Sequence, residues 1–187
     1  MEIYLIRHTT PAVEKGICYG QTDIALNEVL FAEEIKIIQS KIPDNVEHFF
    51  TSPLQRCKKL TEELTQNYTE DIRLIEFNFG DWENKNWNEI NQEQLNFWMN
   101  DFVNVLTPNG ENYKNLHQRT SNFIEELLET AHHKIAIVTH AGNIRSFISW
   151  VLDLPLENSF RIELAYGAVI ALQINKNKSF NKLISIK

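Results

Sequence analysis

Residues 135–142 read IAIVTHAG, and the first five of them decide the architecture. Ile135–Thr139 is a continuous β-branched apolar run, the pattern of a strand covered on both faces. Strands of that kind belong to parallel sheets flanked by helices. Two more compact β-type runs lie upstream, Glu2–Ile6 and His48–Thr51. Between the runs the period lengthens. Asn27–Lys41 sets Leu30, Ile35, Ile37 and Ile38 on one side and stops before Pro43. Pro53–Tyr68 opens with Ser52 as a cap and Pro53 at the first helical position, and carries Leu60 and Leu64 four apart. Glu111–His132 has the stripe Leu116, Phe123, Leu127 and Leu128, and Gly142–Leu152 is a further helix with Pro155 beyond it. Phe160–Leu164, Val169–Ile174 and Lys182–Ile186 alternate as strands do. The alternation predicts an α/β fold, a three-layer α/β/α sandwich with a mostly parallel central sheet.

The rest of the chain fits one domain over residues 1–187, long enough to bury a core without staples. Residues 77–110 differ in texture, rich in Asn and aromatic rings, and read as an insertion over one end of the sheet. A net charge of −7 advertises neither nucleic acid nor an anionic membrane. An anionic substrate would need a local cluster of cations. Cys18 and Cys57 form no disulfide framework and no CxxC metal spacing, and read as free thiols of a reducing cytosol. No run reaches the ~18 apolar residues of a membrane span. The expectation is a cytoplasmic protein, monomer or homodimer, that binds a small metabolite.

Each early strand is followed at once by a cation-capable residue. The first gives Arg7 and His8, the second leads through Ser52-Pro53-Leu54-Gln55 to Arg56, and the third gives His140. In open α/β sheets, ligands sit outside the carboxyl ends of the strands. Three strand ends can therefore gather two Arg and two His in one pocket. The helix that starts at Ala141-Gly142 adds backbone N–H groups to the same corner. Two planar guanidinium forks fit phosphate oxygens bidentately. Taken alone, each residue has a blander reading as a cap or a surface charge, and His48, His117, His132 and His133 are left on it. Their joint occurrence at three strand ends lifts His8 and His140.

These residues also carry a resemblance. Arg7-His8-Thr9, Ser52-Pro53-Leu54-Gln55-Arg56, the EFNFGDWE phrase from Glu76 to Glu83, and Val138-Thr139-His140-Ala141-Gly142 occur in order along the chain. The sequence resembles the histidine phosphatase family, whose members share a phosphoglycerate mutase-like fold. Within it, Tyr19-Gly20-Gln21-Thr22-Asp23 and Thr107-Pro108-Asn109-Gly110-Glu111 are similar to phrases of the α-ribazole phosphatases of cobalamin synthesis.

The resemblance implies a metal-independent phosphomonoesterase without cofactors. His8 is then the nucleophile, and Arg7, Arg56 and His140 neutralise the equatorial phosphoryl oxygens. Glu76 is the general acid and base, with Glu83 and Asp81 next in line. Substrate contacts are expected from Arg7, Thr9, Gln21, Arg56, Trp82, His140 and Ala141. The family usually has Gly where Thr9 stands and Asn where Glu14 stands, so Thr9, Thr10 or Gln21 is the candidate for the missing contact. Trp82, Trp87 and Trp98 are candidates for stacking on a planar base, whereas Phe77, Phe79 and Phe102 read as packing. Two rivals stay open: phosphoglycerate mutase-type transfer or another sugar-phosphate phosphatase, and an idle phospho-ligand binding module.

Overall fold

A computed structural model describes residues 1–187. Six strands are present: β1 (Glu2–Arg7), β2 (His48–Thr51), β3 (Tyr68–Glu70), β4 (Lys134–Thr139), β5 (Val169–Gln173) and β6 (Lys182–Ile186). Five α-helices accompany them: α1 (Glu28–Gln39), α2 (Gln55–Leu64), α3 (Gln92–Asn100), α4 (Tyr113–Leu127) and α5 (Ala141–Leu152). The strands form one sheet in the order β3-β2-β4-β1-β5-β6. The pairs β2–β3, β2–β4 and β1–β4 are parallel, and β5 and β6 add an antiparallel margin.

The apolar runs of β1 and β4 divide their side chains between two cores, as a doubly covered strand must. Ile3, Leu5, Ile135 and Ile137 pack against Phe123, Leu127, Ile144 and Phe147 of α4 and α5. Ile6, Ala136 and Val138 face Phe31 and Ile38 of α1 and Cys57 and Leu60 of α2. This is the three-layer sandwich with a mostly parallel sheet. A third, smaller core holds Cys18, Phe77, Trp82, Ile90, Leu95, Trp98, Tyr113 and Leu116, so the aromatic segment packs largely on itself.

Two expected elements are corrected. The helix after β2 begins at Gln55, not Pro53, because Leu54 is extended (ψ 136°) and its side chain provides no cap. Asp23 Oδ1 accepts the Gln55 N–H from another loop at 2.8 Å instead. That helix also ends at Leu64, and Tyr68 opens the short edge strand β3. Phe160–Leu164 is not a strand: Leu156–Arg161 is a 3₁₀ turn. Both edges of β1 are already taken by β4 and β5. The carbonyls of Ile162 and Leu164 accept from Arg145 and Arg7 rather than from a neighbouring strand.

Candidate active site

The carboxyl ends of β1, β2 and β4 lie side by side, since Arg7 pairs with Thr139 and Thr51 with Val138. The chain just beyond each end is stitched in too. His8 N–H donates to Thr139 O at 3.0 Å, Ser52 N–H to Val138 O at 3.0 Å, and Gly167 N–H to His8 O at 3.2 Å. His8, Ser52 and His140 thereby share one corner with the first turns of α2 and α5.

His8 is 2% exposed. Its Nδ1 lies 2.7 Å from the Thr9 carbonyl, which only accepts, so Nδ1 carries the proton and the Nε2 lone pair is free. Burial, then the Arg56 and Arg7 charges, hold the His8 pKa well below the usual imidazole value. The ring is neutral at pH 7. His140 is fully buried, with its ring centroid 5.2 Å from that of His8. Arg56 Nε donates to His140 Nδ1 at 3.3 Å, so the His140 proton sits on Nε2, 2.8 Å from Ser52 Oγ. Burial and then Arg56 depress its pKa as well. The expected four cations are therefore two: both imidazoles are neutral, and Arg7 and Arg56 supply the positive charge.

Arg56 is fully buried, and it donates through Nη1 to Thr22 O at 2.9 Å and through Nη2 to Gly20 O at 2.5 Å. Gly20 has to be glycine, because a Cβ there would meet the Phe77 carbonyl oxygen at 1.8 Å. Arg7 donates through Nη1 to Leu164 O and lies 3.9 Å over the Tyr166 ring, while its Nε is buried without a partner. Tyr166 OH meets Tyr19 OH at 2.6 Å, so two phenols bridge beside both guanidiniums.

Glu76 reaches the start of α5. Its carboxylate accepts from Gly142 N–H at 3.2 Å and from Phe77 N–H at 2.9 Å. A Cβ on residue 142 would stand 2.3 Å from Glu76 Oε1, so this approach also requires glycine. The peptide around Glu76 is clamped through its carbonyls. Arg119 donates to the carbonyls of Arg73, Ile75 and Glu76, Asn143 to those of Leu74 and Ile75, and Gln21 Nε2 to that of Glu76 at 3.1 Å. The alternatives to Glu76 are engaged elsewhere. Glu83 accepts from the N–H groups of Gln21, Thr22 and Phe79 and from the Thr22 hydroxyl, and Asp81 accepts from Asn109.

The remaining expected contacts separate clearly. Thr10 is tied to Glu34 by its N–H and its hydroxyl, and the Gln21 amide holds the Glu76 carbonyl. Thr9 Oγ1, fully buried beside His8, has no partner. Ala141 opens α5, whose first-turn N–H groups have no intrahelical acceptor. Trp82 is corrected: it is 4% exposed, edge-on to Trp98 at 5.7 Å within the small core, and lines no cavity of the site.

Two cavities share four rings next to Glu76. The inner one, about 60 Å³, is lined by Glu76, Gly142, Arg145 and Tyr113 as well as aromatic side chains. The outer one, about 510 Å³, has only apolar walls, including Phe79, Trp87, Trp98 and Phe102. Phe79 and Phe102, expected to be packing residues, line both. Sequence reasoning missed Arg119, Asn143, Arg145 and Tyr166. Their chemistry depends on loop carbonyls and rings far away in the chain, and no local pattern marks that.

The family model of histidine phosphatase superfamily branch 1 matches residues 3–186. The chain belongs to the histidine phosphatase superfamily. No curated protein sequence matches it significantly. Among solved structures, the α-ribazole phosphatase of Shigella flexneri is 25% identical, with a TM-score of 0.88 over 100% of this chain and 96% of that one. A candidate α-ribazole-5′-phosphate phosphatase from Escherichia coli is 23% identical, with a TM-score of 0.89 over 100% and 95%. A phosphoserine phosphatase mutant from Entamoeba histolytica, in complex with phosphoserine, is 17% identical with a TM-score of 0.86 over 99% and 95%. This superfamily member thus has the phosphoglycerate mutase-like fold, and none of its helices is long and apolar enough to cross a membrane.

Proposed function

We propose that this histidine phosphatase is a phosphomonoesterase that works through a phosphohistidine, with α-ribazole 5′-phosphate as its substrate. One observation carries the reading: a buried neutral imidazole, His8, with Nδ1 tied to Thr9 O and Nε2 free beside two guanidiniums. In the first step the Nε2 lone pair attacks phosphorus and the P–O ester bond breaks. Glu76 gives its proton to the departing oxygen. Arg7 and Arg56 balance the charge on the phosphoryl oxygens, while the Thr9 hydroxyl and the Ala141 N–H are unengaged donors for them. In the second step Glu76 takes a proton from water. The water oxygen attacks phosphorus, the P–N bond breaks, and phosphate leaves with His8 restored.

The ribazole reading rests on the apolar outer cavity next to Glu76, on the two sequence phrases, and on the two structural relatives named for that activity. Rapid quench tests the route: wild-type protein should trap an acid-labile, base-stable phosphoenzyme, and His8→Ala should trap none. Turnover without an adduct rejects the covalent route. Activity should survive EDTA, because no three His, Cys, Asp or Glu side chains are grouped to hold a metal and the guanidinium charge is covalent. Loss on chelation, restored by Mg²⁺ or Zn²⁺, would sink the proposal. Purified protein given α-ribazole 5′-phosphate and small sugar phosphates should favour the former in kcat/KM.

A further inference from the structure

Arg145 has no part in the chemistry above, yet it stands inside the site. It follows Gly142 by three residues on α5, and Gly142 N–H is the donor to Glu76. Residues three apart on a helix are neighbours, about 5–6 Å between Cβ atoms. Both line the inner cavity with Glu76, Tyr113 and the rings of Phe77, Phe79, Trp98, Phe102 and Phe160.

The guanidinium is anchored at one end. Nε donates to Ile162 O at 3.0 Å, and Cζ lies 5.0 Å over the Phe160 ring. Neither Nη has a protein acceptor, and no carboxylate is within ion-pair distance. Apart from Arg7, whose Nε is unpartnered at the phosphoryl site, the other shielded arginines of the fold are satisfied. Arg73 pairs with Asp71 and Glu126, Arg119 pairs with Glu111, and Arg56 donates through all three nitrogens. Burial holds the Arg145 pKa below its ordinary value, with Glu76 acting in the opposite direction. Arg145 is half-buried at the wall of a largely aromatic cavity, and its Nη donors are left for a ligand or for water.

Building on the phosphatase reading, we propose that Arg145 is a specificity-determining residue that binds an oxygen acceptor on the leaving alcohol, close to the ester oxygen. The phosphoryl group belongs to Arg7, Arg56 and His8. The alcohol departs toward Glu76, and Arg145 stands one helical turn along α5 from the residue that holds Glu76. The acceptor is a hydroxyl or a carboxylate near the esterified carbon, and the aromatic walls take the apolar remainder of the alcohol.

The test compares propyl phosphate, glycerol 1-phosphate and 3-phosphoglycerate on the wild type, Arg145→Met and Arg145→Lys. The first ester has no second oxygen on its alcohol, the second offers hydroxyls, and the third adds a carboxylate. Arg145→Met should lower the preference for an oxygenated ester over propyl phosphate by about 10–100-fold in kcat/KM, the span of one or two charge-assisted hydrogen bonds. Arg145→Lys should recover part of that preference. Which ratio falls identifies the acceptor. If all three esters lose rate by one factor, or if neither ratio moves, Arg145 serves only the Ile162 carbonyl and the Phe160 ring, and the proposal is overturned. A wild type that hydrolyses neither these three nor α-ribazole 5′-phosphate rejects the phosphatase reading itself, and one that hydrolyses the ribazole ester but none of the three overturns the role given to Arg145 on small alcohols.

Discussion

Glu76, Asp81 and Glu83 stand within one phrase of sequence, and their hydrogen bonds separate them. Glu83 ties Gln21, Thr22 and Phe79 together, and Asp81 is held by Asn109, whereas the Glu76 carboxylate lines the inner cavity. Glu76→Gln keeps the size of the side chain and removes its proton. An alkoxide leaves badly without that proton, so phosphorylation by an alkyl phosphate should slow by about 10²–10⁴. p-Nitrophenolate needs little help, and its phosphorylation step should slow far less. The comparison belongs to the burst phase, because on the proposed route the same residue also activates water in the second step. Equal losses would take the acid role away from Glu76. The two site histidines contribute to the pH dependence of stability. His8 and His140 are both depressed by burial, so below the ordinary value of 6.5 the unfolded chain takes up protons that the native site refuses. Their contribution is complete above pH 6.5 and is lost as pH falls from there toward the depressed values. The loss is up to about 1.4 kcal/mol per histidine per pH unit. Urea unfolding at pH 7.5 and pH 5.5 should show the lower stability at pH 5.5, and a higher one there would contradict neutral imidazoles.

The first turn of α5 sets helix propensity against the site. Gly142→Ala would favour the helix by about 1 kcal/mol on propensity alone. Its Cβ, however, would stand 2.3 Å from Glu76 Oε1 and displace the carboxylate. The expected outcome is a well-folded variant with at least a tenfold lower kcat on an alkyl phosphate, and unchanged kcat would show that this contact does not position Glu76. The same element shows what sequence reveals and what it hides. β4 and α5 were legible because a β-branched run and a helical stripe are local signals, and the three strand-end residues were legible because they end those runs. The range 160–164 has the alternation of a strand, but β1, to which its Leu164 carbonyl is tied through Arg7, already has both edges paired, and β3 is too short and polar to announce itself. Arg119 was invisible for another reason: three carbonyls that need donors lie over forty residues away, and only the folded chain brings them to α4.

At the scale of the molecule, the proposed function divides the labour: the sandwich would supply the phosphoryl chemistry and the aromatic cap the surroundings of the alcohol. β1, β2 and β4 converge on His8, Arg56 and His140 through registers that any doubly covered parallel sheet can provide. The cap between Phe77 and Gly110 has its own core, and its rings line an apolar cavity of about 510 Å³ that shares Phe79, Trp98 and Phe102 with the inner cavity at Glu76. That division predicts that cap variants change selectivity more than they change the phosphoryl step. Trp98 is a poor probe, because it is 8% exposed and knits Phe77, Phe79, Trp82 and Phe102 together. Its loss would cost about 3–5 kcal/mol of folding free energy and blur the comparison. Trp87 is half-buried, lines the outer cavity and meets the Phe79 ring edge-on at 5.4 Å. If a planar base rests there, Trp87→Ala should weaken α-ribazole 5′-phosphate by about 1–3 kcal/mol, or 5- to 150-fold in KM. A small sugar phosphate, which does not reach the outer cavity, should shift much less. Steady-state kinetics on the two esters decides the matter, and equal shifts would assign Trp87 to packing and leave the cavity to another kind of alcohol.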